Sequence, residues 1–520
     1  AGTKRINIHT VSKATQGISD YLKNKYEREE IRVAIAYDSR HMSAEFAQKT
    51  AEVFAANGIK AYLFENLRPT PELSYAVRYF KCKAGVVITA SHNPPEYNGY
   101  KVYDQFGGQV TQDADLIIQY INKINLKDIK TSKSEENQLI ESIGEEVDSS
   151  YINEIKKLSL RKDVDKSVKI VYTPLHGTGN MPVRRILKET GYENVVVVSE
   201  QEAPDPDFST VKSPNPEEMS SFEIAIKKAH EVNGDIIIGT DPDCDRVGLV
   251  IKNHDCEYIA LNGNQTGSLL LNYILTSLSE KNQIPNNGAL VKTIVTSEIG
   301  REIASKYSVE TFDTLTGFKY IAEMMQSFED KNDYKFLFGY EESYGYLAGT
   351  FVRDKDAVIA SMLICEMAAY YKSKNKMLID ILHEIYEEYG YYKEETLSLN
   401  FAGVTGQSKM KAIMEHFREN KLNSLAGKSI PMINDYKMGI SSNLVNGVTE
   451  KINYPKSDVL KFCFEDGSWL VLRPSGTEPK LKVYFSVKGS TENESADSLV
   501  KMKREIKNMI DRILLNNFSG

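Results

Sequence analysis

The feature that most constrains the fold is a short apolar strand that ends in a polar loop. Residues 85–88 read GVVI, a β-branched apolar run of the kind that is buried on both faces of a parallel sheet. The run ends at the polar segment TASHN, residues 89–93, and two prolines then prevent the strand from continuing. Open α/β sheets bind ligands beyond the carboxyl ends of their strands, so Ser91 is predicted to lie at a functional site. Taken alone, a Ser-His pair before a proline is more often a polar turn.

The same alternation of strand, loop and helix recurs along the chain, and it predicts a parallel sheet in each of three segments. We predict an α/β fold of three related three-layer α/β domains, at 1–148, 149–262 and 263–395. The charged, weakly apolar residues 125–150 are interpreted as the first boundary. A C-terminal α+β domain is predicted for 396–520, with a hairpin formed by residues 461–464 and 469–472. The main strand candidates are 33–37, 61–64, 169–172, 194–199, 235–238 and 289–295.

Composition restricts the classes of partner. The net charge of −8 provides no general attraction to nucleic acid or to an anionic membrane, so an anionic substrate requires a local basic cleft. The five cysteines contain no CxxC pair, which favours a reducing cytoplasm over a disulfide or zinc framework. No apolar run approaches the roughly 18–20 residues of a membrane span, and the N-terminus lacks the apolar region of a signal peptide.

Three alternating carboxylates follow the predicted strand 235–238. Asp241, Asp243 and Asp245 can converge on one centre, and carboxylates without soft ligands suit Mg²⁺ or Mn²⁺. An EF-hand would need Gly at loop position six and Glu at position twelve, where this chain has Arg246 and Lys252. A solvated acidic turn is the remaining alternative. The three side chains leave room for a further anionic ligand, which a phosphorylated Ser91 would supply.

Two further loops contain groups suited to a phosphorylated sugar. The segment RPSGTEPK, residues 473–480, can offer successive backbone N–H groups, two hydroxyls and the Arg473 fork to a phosphate, although it could also be a tight surface turn. Glu341 and Ser343, after the apolar run that begins at 336, match the hydrogen-bonding needs of sugar hydroxyls. His176 is expected to be structural.

The segments TASHNP, DPDCDR, GYEESYG and RPSGTEPK, in this order, resemble the four signature loops of the α-D-phosphohexomutases. Six further segments resemble those of the bacterial phosphoglucomutase/phosphomannomutase branch, which includes phosphopentomutase-type enzymes. They are YDSR, RPTPEL, YTPLHGTG, PDPDFSTVKSPNPEE, TLTGFK and RDKDA. The resemblance implies four domains around a central cleft, one Mg²⁺ per chain and glucose 1,6-bisphosphate as activator and intermediate. Relatives also carry an N-terminal Gly-Leu-Arg-Gly-like loop before the position of the present Ala1. A chain natively without this loop would be expected to lose activity. Truncation of the sequence is the other explanation for the missing loop.

The resemblance also assigns roles residue by residue. Ser91 would carry the phosphoryl group, and the three aspartates 241, 243 and 245 would bind the metal together with it. His92, Lys101 and Arg246 would act in catalysis, with His92 or Lys101 assisting proton transfer. Substrate-binding roles are implied for Arg40, Lys319, Glu341, Ser343, Arg473, Ser475, Gly476 and Thr477.

The activity implied is the interconversion of glucose 1-phosphate and glucose 6-phosphate through a phosphoserine enzyme and a 1,6-bisphosphate. Mannose or pentose phosphates, and a sugar-phosphate-binding protein without turnover, remain open alternatives. A haloacid-type phosphatase is disfavoured because no Asp-x-Asp-x-Thr loop is present. The expected partners are small-molecule sugar phosphates, with neither nucleic acid nor membrane, and the expected state is a cytoplasmic monomer or homodimer.

Overall fold

The computed structural model describes residues 5–132, 138–401, 405–475 and 480–518. The described residues divide into two compact units, one drawn from 1–293, 304–312 and 317–381 and the other from 294–303, 313–316 and 382–520. Three α/β sheets lie one after another in the first part of the chain, and an antiparallel sheet lies in the last part. The predicted fold class, three α/β/α domains followed by an α+β domain, is confirmed.

The first sheet has the strand order β4-β3-β1-β2-β5, in which only β4 is antiparallel to its neighbour. The predicted GVVI strand is β3, and it is fully buried between β1 and β4. Helix α1 packs on this sheet through an apolar core that includes Val11, Ile18 and Leu22. The elements are α1 Ile8–Lys25, β1 Arg32–Tyr37, α2 Ser43–Ala56, β2 Lys60–Phe64, α3 Thr70–Tyr79, β3 Ala84–Ile88, β4 Tyr100–Asp104, α4 Ala114–Lys123, β5 Ile140–Ile143 and α5 Glu145–Lys157.

The interpretation of residues 125–150 as a domain boundary misses a strand. Ile140–Ile143 is β5, which pairs in parallel with β2 and completes the first sheet. The run IESI has apolar residues only at its two ends, so it lacks the continuous apolar character that marks the other parallel strands. The predicted domain limits at 148 and 395 fall within α5 and within the long strand Tyr391–Asn400.

The second sheet repeats this plan with the order β10-β9-β8-β6-β7. Strands β6, β7 and β8 are parallel, and β8 turns directly into the antiparallel β9. All five residues of β8 are buried, so the loop that follows starts from a fixed position in the sheet. The elements are β6 Ile170–Thr173, α6 Asn180–Glu189, β7 Val195–Val197, α7 Glu223–Val232, β8 Ile236–Thr240, β9 Val247–Lys252 and β10 Tyr258–Leu261.

The third sheet has the order β12-β11-β13-β14, with β13 parallel to β11 and antiparallel to β14. Helix α11 follows this sheet and is buried almost all around, which its low polarity over 17 residues requires. The elements are α8 Gly263–Glu280, β11 Gly288–Thr293, α9 Ile299–Lys306, β12 Glu310–Thr314, α10 Phe318–Lys331, β13 Lys335–Glu341, β14 Gly345–Ala348, α11 Ala357–Ser373 and α12 Leu378–Tyr389.

The C-terminal sheet is antiparallel, with the order β15-β23-β22-β21-β18-β19-β20. Its predicted hairpin is confirmed by the pairing of β21 with β22. Helices α13 and α14 cover it through an apolar core that includes Phe417, Phe462 and Ile506. The elements are β15 Tyr391–Asn400, α13 Gly406–Glu419, β16 Ser424–Leu425, β17 Lys428–Ser429, β18 Met432–Asp435, β19 Ile440–Asn443, β20 Thr449–Lys451, β21 Leu460–Cys463, β22 Trp469–Pro474, β23 Lys480–Gly489 and α14 Glu492–Phe518.

All five cysteines are free thiols, and three of them, Cys82, Cys244 and Cys365, are buried. Among the described helices, none combines the length and the apolar character needed to cross a membrane.

Candidate active site

Ser91 lies three residues beyond the end of β3, where the backbone turns sharply. Its φ of 52° places it in the left-handed region, and its N–H donates to Thr89 Oγ1 at 2.8 Å, which fixes the turn. The side chain is buried, and its Oγ donates to Asp241 Oδ2 at 2.8 Å. His92 Nδ1 lies 3.2 Å from the same Oγ. The structure therefore brings the predicted phosphoserine into contact with the predicted metal loop.

Arg40 holds the backbone of this serine loop. Its side chain is fully buried, and its Nε lies 3.2 Å from Asp38 Oδ2. The guanidinium donates to four backbone carbonyls of the loop, those of Ser91, Asn93, Pro94 and Tyr97. Its Cζ lies 4.9 Å from the ring centroid of Phe208, which is also buried. These contacts use the donors of Arg40 on protein backbone, whereas the sequence predicted a contact with substrate.

The loop predicted to bind a metal, residues 241–246, is the tight connection between β8 and β9 and is called the metal loop below. Asp241, Asp243 and Asp245 are buried, and each offers an oxygen such that the three lie within 4.8 Å of one another. Cys244 takes a left-handed φ of 53°, which turns the chain between the second and third aspartates. Asp241 Oδ1 accepts the backbone N–H groups of Asp245 at 3.1 Å and Arg246 at 3.0 Å. The carboxylates therefore converge because the loop backbone folds around the first of them.

These carboxylates fit a hard divalent cation. Asp243 Oδ1 and Asp245 Oδ1 are buried and have no hydrogen-bond partner among the described residues. Burial, followed by the repulsion of the Asp243 carboxylate, raises the pKa of Asp241 well above its ordinary value. A bound Mg²⁺ would relieve both costs, since it would coordinate the unpartnered oxygens and neutralise their charge.

Two lysines contact the metal loop from other parts of the first unit. Lys101 Nζ lies 2.9 Å from Asp243 Oδ2, and Lys355 Nζ lies 3.1 Å from Asp245 Oδ2. Burial acts to lower the pKa of both lysines, but the neighbouring carboxylates outweigh it and raise both values, so both side chains are cations. Lys355 also lies 3.0 Å from Asp354 Oδ1. The sequence did not predict Lys355; the only signal was the RDKDA segment directly before α11.

The remaining predicted catalytic residues differ in charge state. Arg246 donates to Glu217 Oε1 at 2.5 Å, and its Nε lies 3.8 Å from Asp245 Oδ1. Burial, together with the positive charge of Arg246, lowers the pKa of His92 to about 2. The His92 imidazole is therefore neutral at physiological pH. Arg246, by contrast, is a permanent cation beside the metal loop.

The predicted sugar loop follows β13. Glu341 is buried at the strand end. Burial raises its pKa to about 7, although the nearby cations Lys355 and Arg246 act to lower it. A backbone bridge between Arg246 and Gly345 joins this loop to the metal loop. A Cβ on Gly345 would lie 2.2 Å from Lys355 Cδ, so only glycine allows the lysine stem to pass. Ser343 is half-buried in the turn between β13 and β14.

Of the other predicted binding residues, Lys319, Arg473 and Ser475 have local contacts in the structure, and two lie outside the described residues. Lys319 is half-buried at the start of α10, with Nζ 5.1 Å from the Tyr320 ring centroid. Within the C-terminal sheet, Arg473 Nη1 lies 3.4 Å from the Tyr484 hydroxyl, and the Ser475 N–H donates to the Lys480 carbonyl at 2.7 Å. Gly476 and Thr477 lie outside the described residues. Both ring nitrogens of His176 are hydrogen-bonded, to the Ala203 carbonyl and Thr210 Oγ1, as expected of a structural histidine.

Three α/β/α domains followed by an antiparallel-sheet domain, with a serine on a carboxylate cluster, define a phosphohexomutase of the isomerase class. The sequence matches the profiles of "Phosphoglucomutase/phosphomannomutase" α/β/α domain I over residues 1–128, domain II over 149–254, domain III over 262–389 and the C-terminal domain over 429–499. The chain belongs to this family.

Known proteins of similar sequence or structure include the following. A phosphoglucomutase of Staphylococcus haemolyticus is 39% identical over 516 residues, which cover 98% of this chain and 90% of that protein. The phosphoglucomutase parafusin of Paramecium, in an open form, aligns with a TM-score of 0.70 and 18% identity over 97% of this chain and 91% of its own. An N-acetylphosphoglucosamine mutase of Aspergillus fumigatus, in complex with GlcNAc-6P and magnesium, aligns with a TM-score of 0.53 and 13% identity, covering 96% and 99% of the two chains. At these identities the two solved structures show the shared fold alone.

Proposed function

We propose that this chain interconverts glucose 1-phosphate and glucose 6-phosphate through a phosphoserine at Ser91. The observation that carries the proposal is the hydrogen bond of 2.8 Å between Ser91 Oγ and Asp241 Oδ2, within a cluster of three buried carboxylates. The 39% identity to a phosphoglucomutase over nearly the whole chain supports glucose as the sugar.

The reaction would consist of two phosphoryl transfers. In the first, the bond between Ser91 Oγ and phosphorus breaks, and the free hydroxyl oxygen of the sugar monophosphate bonds to that phosphorus. The sugar hydroxyl gives up its proton, and Ser91 Oγ takes up one proton, so that the serine hydroxyl is restored. The product is glucose 1,6-bisphosphate, which reorients in the site. In the second transfer, Ser91 Oγ gives up its proton and bonds to the phosphorus of the other phosphate. The bond between that phosphorus and the sugar oxygen breaks, and the oxygen takes up a proton, which leaves the isomeric monophosphate. Such transfers demand mainly positioning and neutralisation of charge from the protein.

We assign the metal site to Asp241, Asp243 and Asp245, completed by the phosphate on Ser91. One Mg²⁺ bound there would neutralise charge on the transferring phosphoryl group. The unpartnered Oδ1 atoms of Asp243 and Asp245 support this assignment, because a buried carboxylate oxygen without a partner is costly.

Three cations would assist the transfer: Lys101, Lys355 and Arg246. Each lies within 4 Å of an aspartate of the metal loop, so the charge that would meet the phosphate is already fixed in place. Because Lys101 is held protonated, we assign it charge stabilisation. For His92 we propose that its neutral imidazole forms the hydrogen bond with Ser91 Oγ.

Substrate binding is assigned to the remaining loops. Glu341 and Ser343 would hold sugar hydroxyls, and Lys319 would add a positive charge on the side of the third sheet. The segment that contains Arg473, Ser475, Gly476 and Thr477 would hold the phosphate that does not react. For Arg40 we propose a positioning role, because the serine-loop carbonyls use its donors. We further propose a cytoplasmic location, supported by the five free thiols, and a monomer or homodimer with domain limits near those given above.

The test pairs Ser91→Ala with Ser199→Ala. Ser199 also follows a parallel strand, β7, but it is exposed and its hydroxyl donates to Glu200. Ser91→Ala should abolish turnover and remove one phosphate from the intact mass, whereas Ser199→Ala should retain both. Turnover retained in Ser91→Ala would refute the assignment. Assays with glucose, mannose, ribose and deoxyribose phosphates, with the bisphosphate added, decide the sugar; bound substrate without phosphate on Ser91 would instead indicate a binding protein.

A further inference from the structure

Asp243 is bonded through one carboxylate oxygen only. Its Oδ2 accepts from Thr70 Oγ1 at 3.0 Å and from Lys101 Nζ at 2.9 Å, while its Oδ1 has no hydrogen-bond partner among the described residues. The Thr70 N–H also donates to the Asp243 backbone carbonyl, at 2.9 Å. Thr70 thus contacts Asp243 through both its hydroxyl and its backbone, although 173 residues separate them.

Local sequence makes Thr70 available for this contact. Thr70 is the first residue of α3, between Pro69 and Pro71, and is fully buried. The first N–H groups of a helix have no partner within the helix, and Pro71 has no N–H at all. The next two N–H groups, those of Glu72 and Leu73, both donate to the Pro69 carbonyl. The N–H and the hydroxyl of Thr70 are therefore the donors that the start of α3 presents to the metal loop, at the positive end of the helix dipole.

We infer that Thr70 is a positioning residue for the metal site. By occupying Oδ2, Thr70 and Lys101 together fix the orientation of the Asp243 carboxylate and leave Oδ1 as the oxygen that can coordinate Mg²⁺. The inference rests on the metal site of the proposed function, and it adds a residue at the start of α3 that the four signature loops do not contain. Through this residue, the start of α3 sets the geometry of a loop of the second sheet.

The matched variants are Thr70→Val, Thr70→Ser and Thr178→Val. Thr70→Val keeps the size and removes the hydroxyl, and Thr70→Ser keeps the hydroxyl. Thr178 is a matched control because it is equally buried and its N–H donates to the Pro242 carbonyl at 2.8 Å, while its hydroxyl has no partner among the described residues. Thr178→Val thus makes the same chemical change beside the same loop without removing a hydrogen bond.

The measurement is Mg²⁺ binding by the full chain without sugar, by titration calorimetry and by the rise in Tm that Mg²⁺ causes. Thr70→Val should weaken Mg²⁺ binding about tenfold, as loss of a hydrogen bond to a charged group predicts. Thr70→Ser and Thr178→Val should bind within about twofold of the unsubstituted chain.

Four outcomes would overturn the inference. Unchanged Mg²⁺ affinity in Thr70→Val would show that the hydroxyl does not position Asp243. Equal loss in Thr178→Val would show a general effect of substitution beside the loop. Loss in Thr70→Ser equal to that in Thr70→Val would assign the effect to the methyl group. Should Thr70→Val fail to fold, Thr70→Ala takes its place as the variant without the hydroxyl. Absence of Mg²⁺ binding in the unsubstituted chain would overturn the metal site of the proposed function, and this inference with it.

Discussion

Replacing Arg40 with lysine tests how the serine loop is held. Lysine keeps the positive charge but lacks the planar fork with which arginine reaches several acceptors at once. In the structure that fork donates to four backbone carbonyls of the loop, including that of Ser91, while Nε lies against Asp38. A single ammonium group at this position cannot satisfy all of these groups, so several would be left buried without partners.

The magnitude follows from the number of lost bonds. A hydrogen bond to a charged group contributes about 1.5–3 kcal/mol. If lysine leaves only two of the four carbonyls unpaired, the loop and the adjoining strands β3 and β4 lose about 3 kcal/mol of local stability. Each 1.4 kcal/mol is a factor of ten in an opening equilibrium, so amide exchange across 84–104 should accelerate more than about 100-fold.

Native-state hydrogen exchange is the suitable assay because it resolves this region. The chain has a single tryptophan, Trp469, in the C-terminal sheet, so its fluorescence should remain unchanged and serve as an internal control. Arg32→Lys is the matched variant, because Arg32 begins β1, the strand before Arg40, and pairs with Glu30 at the surface. In this variant both amide exchange and turnover should stay unchanged.

Kinetics separate the two roles considered for Arg40. A positioning residue that holds Ser91 should lower kcat in Arg40→Lys and leave KM nearly unchanged. A residue that binds the substrate phosphate should instead raise KM. Unchanged exchange across 84–104, together with a raised KM, would refute the positioning role and restore the substrate contact that the sequence predicted.

Three further predictions concern the buried charges near the metal loop. Burial raises the pKa of Glu341 to about 7, so this carboxyl is ionised, and can accept hydrogen bonds from sugar hydroxyls, only above that pH. The value of kcat/KM should therefore rise as the pH passes through 7, and Glu341→Gln should lose that rise. The pKa of Glu341 in the folded protein lies above the ordinary value of 4.5, so the free energy of unfolding should fall by about 3 kcal/mol, relative to Glu341→Gln, as pH rises from about 4.5 through 7. Denaturation at several pH values would measure this fall. Equal pH dependence of the two proteins would contradict the assignment. Lys355→Met should destabilise the chain by about 3–5 kcal/mol and lower turnover, because the buried Asp245 and Asp354 would lose the cation that they share. Lys372→Met, which removes an exposed pair with Asp235, is its control, and equal losses of Tm and turnover in the two variants would count against a specific role.

Much of the fold could be predicted because its strands carry local signals. The β-branched runs of β3 and β8 are continuous and apolar, and each ends in a polar loop, so both strand and loop are readable from neighbouring residues. Strand β5 was missed because its four residues have apolar side chains only at the ends, and its pairing with β2 decides its conformation. Local pattern thus identified strands with a continuous apolar run, such as β3 and β8, and failed for β5, which has no such run.

The residues of the candidate site also differ in whether a local sequence signal identifies them. Ser91 and the aspartates could be identified because each follows a recognisable strand. Lys355 could not, since nothing near it in the chain indicates that its ammonium group meets Asp245, 110 positions earlier. The substrate role that the resemblance implies for Arg40 stays a prediction, because the sequence does not distinguish a buried guanidinium bonded to backbone carbonyls from one that binds phosphate.

The site is therefore a product of tertiary contact between the first two sheets. Ser91 meets Asp241, Lys101 meets Asp243 and Thr70 meets Asp243 across separations of 150, 142 and 173 residues. Neither sheet alone supplies both the Ser91 hydroxyl and the three carboxylates, so neither could assemble the proposed metal site by itself. Because all three bonds end on one short loop, a change that shifts the packing of the first sheet against the second by even one ångström should disturb the hydroxyl and the carboxylates together.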